Sequence, residues 1–210
     1  MRFSLLSDGS SDQALLPILE WSLREVGVTS DLQRKWAELR HLLPPPKGLV
    51  DRIRKAVELY PCDLLFVHRD AEAQRPETRR NEIGQAIEEL RQSAQVVPHV
   101  CVVPVRMQEA WLLISENAIR VAAGNPDGRT PLPLPRVRDL ENLPDPKKTL
   151  FELIQTGSEL TGRRRRKLSL PSARLRIPEL IDDFSALRGL SANRAMEEEL
   201  RQIVEQQHWN

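Results

Sequence analysis

The sequence predicts an α/β fold, a mostly parallel sheet flanked by helices with a C-terminal helical extension. Three observations point there. Cys62 to His68 is an uninterrupted apolar run, as expected for a central parallel strand covered on both faces. Arg2 to Ser7 is a second short apolar strand, and each run ends in an acidic turn followed by residues at helical spacing. A β-branched run, Val96 to Val105, comes after the second of these helices. Strand, helix, candidate strand, helix, strand, helix, strand is the order of a doubly wound or related sheet with right-handed crossovers.

After the first strand, Asp8-Gly9-Ser10-Ser11 punctuates the chain, and Leu15, Ile18, Leu19, Leu23 and Val26 recur as one helical face. Ser10 and Gln13 have the spacing of a capping box. Residues 29–43 fit either period, since Leu32, Trp36, Leu39 and Leu42 suit a helix while Leu32, Arg34, Trp36 and Glu38 suit an edge strand; a strand is expected. Pro44-Pro45-Pro46 is a stiff connector before an amphipathic helix through Leu49, Val50, Ile53, Val57 and Tyr60. Beyond the central strand, Ile83, Ala86, Ile87, Leu90 and Ala94 define a helix from about Pro76, and residues 107–123 are expected to be helical. The proline-rich stretch from Gly124 to Pro146 excludes a regular helix or central strand. Asp145-Pro146 then reads as an N-cap with proline at the first helical position, opening a helix through Leu150, Leu153 and Ile154. The basic run Gly162 to Lys167 follows, then one helix carrying Ile177, Leu180, Ile181, Phe184 and Leu187 and another carrying Met196, Leu200, Ile203 and Val204.

The chain has 210 residues and a net charge of +1, enough for a full core and without a global field toward nucleic acid or membrane. Cys62 and Cys101 are the only cysteines, each in or beside an apolar run. They read as small hydrophobes in a reducing compartment and exclude a cysteine-built zinc site. No apolar run approaches a membrane span and the N-terminus lacks a signal-peptide pattern, so a cytoplasmic protein without membrane association is expected.

Carboxylates gather where strands give way to helices: Asp8 and Asp12 after the first strand, Asp70 and Glu72 after the Cys62 strand, Glu109 beyond the third. Such positions are where open α/β sheets hold ligands. Asp70 and Glu72, separated by one residue, offer two oxygens to a hard cation such as Mg2+ or Mn2+. The alternative is ordinary turn formation and helix capping, which also accounts for Asp12 and Glu109. His68 is a ligand or base beside the acids, or a hydrogen-bonded strand-end residue. Arg163, Arg164, Arg165, Arg166 and Lys167 are candidates for phosphate neutralisation, and Lys147 for anion contact at a helix start. A solvated loop is the competing account.

Asp8-Gly9-Ser10-Ser11-Asp12, Asp70-Ala71-Glu72, Glu109-Ala110-Trp111-Leu112-Leu113 and Asp145-Pro146-Lys147 together resemble the TOPRIM fold of topoisomerases, primases and the overcoming-lysogenization-defect nucleases. More narrowly they resemble a bacterial family of unknown function with a TOPRIM-like domain, often found near defence genes. The likeness covers roughly residues 1–155, a TOPRIM-like (Rossmann-like) domain, with 156–210 as a helical extension packed on it. It implies a divalent-metal-dependent, phosphodiester-cleaving nuclease or nuclease subunit acting on DNA or RNA. Asp8 and Asp70 would be catalytic, and Asp8, Asp12, Asp70, Glu72 and Glu109 would surround Mg2+ or Mn2+. Two departures stand out, Asp8 where the pattern has Glu and Glu72 where it has Asp. The shorter arm at position 8 favours an alternative, a non-catalytic nucleic-acid-binding adaptor working with a partner ATPase. A third reading takes Asp70 as a phosphotransfer nucleophile.

Overall fold

The computed structural model describes residues 1–72, 74–92 and 97–209. Its strands are β1 (Arg2–Leu6), β2 (Gln33–Trp36), β3 (Leu64–His68) and β4 (His99–Val102). They form one all-parallel sheet in the order β2-β1-β3-β4, with Leu5 beside Phe66 and Phe66 beside Val100. The helices are α1 (Leu16–Glu25), α2 (Gly48–Leu59), α3 (Pro76–Arg91), α4 (Glu116–Ala122), α5 (Pro146–Ser158), α6 (Gly162–Lys167), α7 (Leu170–Arg176) and α8 (Ser191–Gln207).

The period of two along each strand divides the apolar residues between two faces. Phe3, Leu5, Leu64, Phe66, Val100 and Val102 bury into one core with α1, α4, α5, α7 and α8. Leu6, Leu65, Val67, Cys101 and Val103 bury into another with Ile53 and Ala56 of α2 and Ile83, Ile87 and Leu90 of α3. Both faces are therefore covered, as the unbroken apolar run of β3 requires. On the first face the Phe3 and Phe66 rings meet edge-on with centroids 5.6 Å apart. The same core takes in Ile177, Phe184, Met196 and Leu200, so the C-terminal helices are part of the layer that covers the sheet. At the β4 edge, Glu199 Oε2 of α8 accepts the Cys101 backbone N–H at 3.1 Å, closing an amide that an edge strand would otherwise present.

The connection from β1 goes to one side of the sheet and that from β3 to the other. The crevice beyond their carboxyl ends is thus the topological switch point, where open α/β sheets bind ligands. β2, expected over 29–43, is a short half-exposed edge strand.

Four local expectations differ from the structure. Residues 107–123 form a 3-10 turn (Gln108–Leu112) and then α4, because Ser115 Oγ accepts the Ala118 N–H at 3.2 Å and starts a new helix. The helix expected through Ile177 to Leu187 does not form, and α7 stops just before it at Arg176. Pro178 lacks an N–H and excludes the preceding turn's carbonyl, leaving two 3-10 turns, Pro178–Leu180 and Ser185–Gly189. The expected Ser10 and Gln13 capping box is replaced by Asp12, whose Oδ2 accepts the Gly9 N–H at 2.9 Å. The third strand is confined to His99–Val102, and Ala94 and Val96 lie outside the described residues. Among the described residues, no helix is long and apolar enough to cross a membrane.

Candidate functional site

Asp12 stands in the first turn of the 3-10 helix Ser10–Leu15 and is 6% exposed. A carboxylate there can satisfy free amides of the turn, and Oδ2 does so with Gly9. Oδ1 accepts from Ser11 Oγ at 2.9 Å and from the side-chain amide of Gln108. Asp12 is thus a helix-start acid whose oxygens also face the sheet end.

His68 is the last residue of β3 and is 3% exposed. Its Nδ1 lies 3.0 Å from the Val102 carbonyl oxygen, so Nδ1 carries a proton and donates it. In the neutral ring, Nε2 then holds the lone pair, and it faces Asp70 Oδ1 at 3.6 Å and Asp12 Oδ2 at 3.9 Å. With Nε2 protonated the imidazolium pairs with both carboxylates, and with Nε2 bare a cation is needed among the three acceptors. Fastening the far ring nitrogen to a carbonyl is the arrangement that orients metal-ligating histidines.

Asp70 follows β3 and its Oδ1 accepts the Gln108 backbone N–H at 2.9 Å. Burial pushes its pKa up to about 6, against the lowering by His68; Asp12 and Glu109 add to the rise and the Gln108 N–H opposes it. A carboxyl so poised is characteristic of functional clefts. Gln108 binds both acids, one by its backbone and one by its side chain, and its own Oε1 is buried without a hydrogen-bond partner.

Carboxylate and amide oxygens suit Mg2+ or Mn2+, and an imidazole nitrogen shifts the preference of such a set toward Mn2+ and other transition ions. The lone pair that a neutral His68 ring presents at Nε2 fits such an ion. Neighbouring ligands on a small octahedral ion lie roughly 3 Å apart, so the donors must close by under about 1 Å to share one. Among the described residues, no group of three or more His, Cys, Asp or Glu side chains is arranged to hold a metal ion.

The other expected site residues are distributed differently. Asp8 Oδ1 is held by Arg52 Nη1, and Oδ2 lies 3.8 Å from Arg69 Nε. No hydrogen bond joins Asp8 to Asp12, His68 or Asp70 among the described residues. Glu72 is exposed, with a left-handed backbone (φ 54°) fixed by its N–H donating to the Arg106 carbonyl at 3.0 Å. Glu109 is buried against Arg174 of α7, with Oε1 and Nη1 2.7 Å apart. Lys147 is exposed in the first turn of α5, where Asp145 Oδ1 accepts the Lys148 N–H at 2.8 Å. Arg163 to Lys167 lie in the exposed α6, where Arg165 Nη2 donates to Gln155 Oε1.

Sequence reasoning missed Gln108, Arg174, Arg52 and Arg69. Gln108 was masked by Glu109 beside it, and the arginines act across separations that no local pattern records. No protein-family model, curated protein or solved structure matches the chain.

Proposed function

We propose that the protein is a divalent-metal-dependent, phosphodiester-cleaving nuclease or nuclease subunit with a TOPRIM-like domain, its centre formed by Asp12, His68, Asp70 and Gln108. The observation that carries the reading is His68 Nε2, with its partner nitrogen committed to Val102, aimed at the carboxylates of Asp12 and Asp70. A four-stranded parallel sheet with acids beyond β1 and β3 supports the TOPRIM-like part.

In this reading Asp12, Asp70 and His68 Nε2 would hold Mg2+ or Mn2+, with Gln108 orienting the two acids. When bound, such an ion polarises a phosphodiester and makes a bound water more acidic. The chain's own contribution is orientation. Gln108 fixes one oxygen of each acid, Val102 fixes the imidazole, and the Glu109 and Arg174 pair anchors the turn that carries Gln108. Asp70, its pKa raised by burial to about 6, is ionised and open to a cation at neutral pH, and a proton competes for it below about pH 6. Glu72 supplies an outer carboxylate at the same strand end. Lys147 and Arg163 to Lys167 are surfaces for DNA or RNA backbone in a cytoplasmic, defence-related setting.

The decisive experiment pairs Mn2+ titration with cleavage of labelled DNA and RNA. Wild type should bind Mn2+ and cleave, while Asp70→Ala should lose both and keep its circular dichroism. Cleavage unchanged in Asp70→Ala overturns the proposal. A second reading, a nucleic-acid-binding adaptor working with a partner ATPase, is favoured by one observation: the Asp8 carboxylate is already taken up by Arg52. Metal binding without turnover by the isolated chain would select it.

A further inference from the structure

Asp8, Arg52 and Arg69 come from three different elements, the end of β1, helix α2 and the end of β3, and meet at the switch point of the sheet. Arg52 is anchored independently of Asp8, its Nη2 donating to the Ser7 carbonyl at 2.6 Å. Arg69 is likewise anchored, its Nη1 donating to Glu82 Oε2 at 2.8 Å. The Arg52 and Arg69 side chains are 24% and 25% exposed, whereas that of Asp8 is 53% exposed. The two guanidiniums are therefore fixed, and the carboxylate between them stands on a turn with its side chain half in solvent.

The carboxylate does not complete the site. One oxygen meets Arg52, but the other lies 3.8 Å from Arg69 Nε, which among the described residues is buried without a hydrogen-bond partner. Arg79 Nε is buried and unpartnered too, while Arg79 Nη1 shares Glu82 with Arg69. Arg52, Arg69 and Arg79 thus divide two carboxylates, Asp8 and Glu82, and one positive charge is left over. Beside Asp8, on the Arg52 side and not lined by Arg69, opens a cavity of about 150 Å³ bordered by Trp36, Arg40, Pro45, Arg52 and Glu38, whose carboxylate is held by Arg40.

We propose that Arg52 and Arg69 form a phosphate-binding clamp and that Asp8 is its internal placeholder, displaced when a phosphate group enters. A tetrahedral phosphate has oxygens enough to meet both forks at once, as a planar carboxylate here does not, and guanidinium donors match it well. Displacement frees Asp8 to leave toward solvent and adds the missing bond to Arg69 Nε. The inference deepens the nuclease reading, since the phosphate would be that of the substrate, and it assigns Asp8 to substrate admission instead of base chemistry.

The test is binding in EDTA, so that it does not depend on the metal centre. A fluorescent oligothymidylate and inorganic phosphate are the two probes. Asp8→Asn should tighten binding of at least one probe about tenfold, the worth of one charge-assisted contact. Adding Arg69→Gln or Arg52→Gln to that variant should return affinity to the wild-type level or below. Asp51→Asn, which removes the same charge from α2, should change affinity by less than about twofold. Tightening toward the oligonucleotide alone identifies a phosphodiester ligand, and tightening toward inorganic phosphate identifies a free or terminal phosphate. Unchanged or weaker binding of both probes by Asp8→Asn overturns the clamp, as does equal tightening by Asp51→Asn. If an arginine variant fails to fold, the two aspartate variants decide alone. Mn2+ titration without nucleotide reports separately on Asp12, His68 and Asp70, so the clamp and the metal centre fail distinguishably.

Discussion

The side-chain amide of Gln108 donates to Asp12 Oδ1, joining a turn beyond β4 to a turn beyond β1 inside a buried environment. Through this bond and its backbone N–H, one residue sets the separation between the two acids that flank His68. Gln108→Ala removes the amide while keeping the backbone donor. Mn2+ affinity should fall by 10- to 100-fold, the usual consequence of losing a residue that orients ligands. Isothermal titration calorimetry measures it, and an unaltered affinity would take Gln108 out of the centre.

Burial raises the Asp70 pKa from 3.8 to about 6, so between those values the folded protein keeps a proton that the unfolded chain has released. The stability this group contributes is full below about pH 4 and lost as pH rises through 6. Asp70→Asn keeps an acceptor for the Gln108 N–H without the charge. It should be more stable than wild type at pH 7 by about 1–3 kcal/mol, with the gain vanishing near pH 4. Urea denaturation at the two pH values checks the sign. Saturating Mn2+ should raise the wild-type midpoint and leave the variant unmoved.

Glu109 and Arg174 are a buried ion pair, 3% and 8% exposed. Arg174→Met strands the carboxylate and should cost about 3–5 kcal/mol. Glu109→Gln combined with Arg174→Met should recover much of that loss. A double-mutant cycle by chemical denaturation gives the coupling, and a value near zero would contradict the buried pairing.

Glu72 occupies left-handed backbone space that glycine enters without a Cβ penalty. Glu72→Gly should stabilise the protein by about 0.5–1 kcal/mol. It should also weaken Mn2+ binding about tenfold, since strain of this kind is held where a side chain must be aimed. Tighter or equal metal binding would leave the strained residue without a role at the centre.

How far the sequence carries depends on the range of each interaction. β1 and β3 were readable because apolar runs ending in acids are local patterns, and Asp145-Pro146 announced the start of α5 because caps are local as well. Residues 29–43 fitted two periods, and only pairing with β1 makes Gln33–Trp36 a strand. The break at Pro178 was visible in principle but was overridden by the apolar spacing on either side. The site divides in the same way. Asp12 and Asp70 are strand-end acids, while the bond from Gln108 to Asp12 and the pair of Arg174 with Glu109 span 96 and 65 residues. No periodicity encodes contacts of that range.

The Arg174 and Glu109 pair also limits how the chain can be divided. A fragment ending near residue 155 would keep every strand and Asp8, Asp12, Asp70, Glu72 and Glu109, yet it would lose the cation that neutralises Glu109 and the C-terminal helices that share the core of Phe3, Leu64 and Val100. Such a fragment should be sticky and poorly soluble, and grafting these carboxylates onto another scaffold would have to bring the last quarter of the polypeptide along.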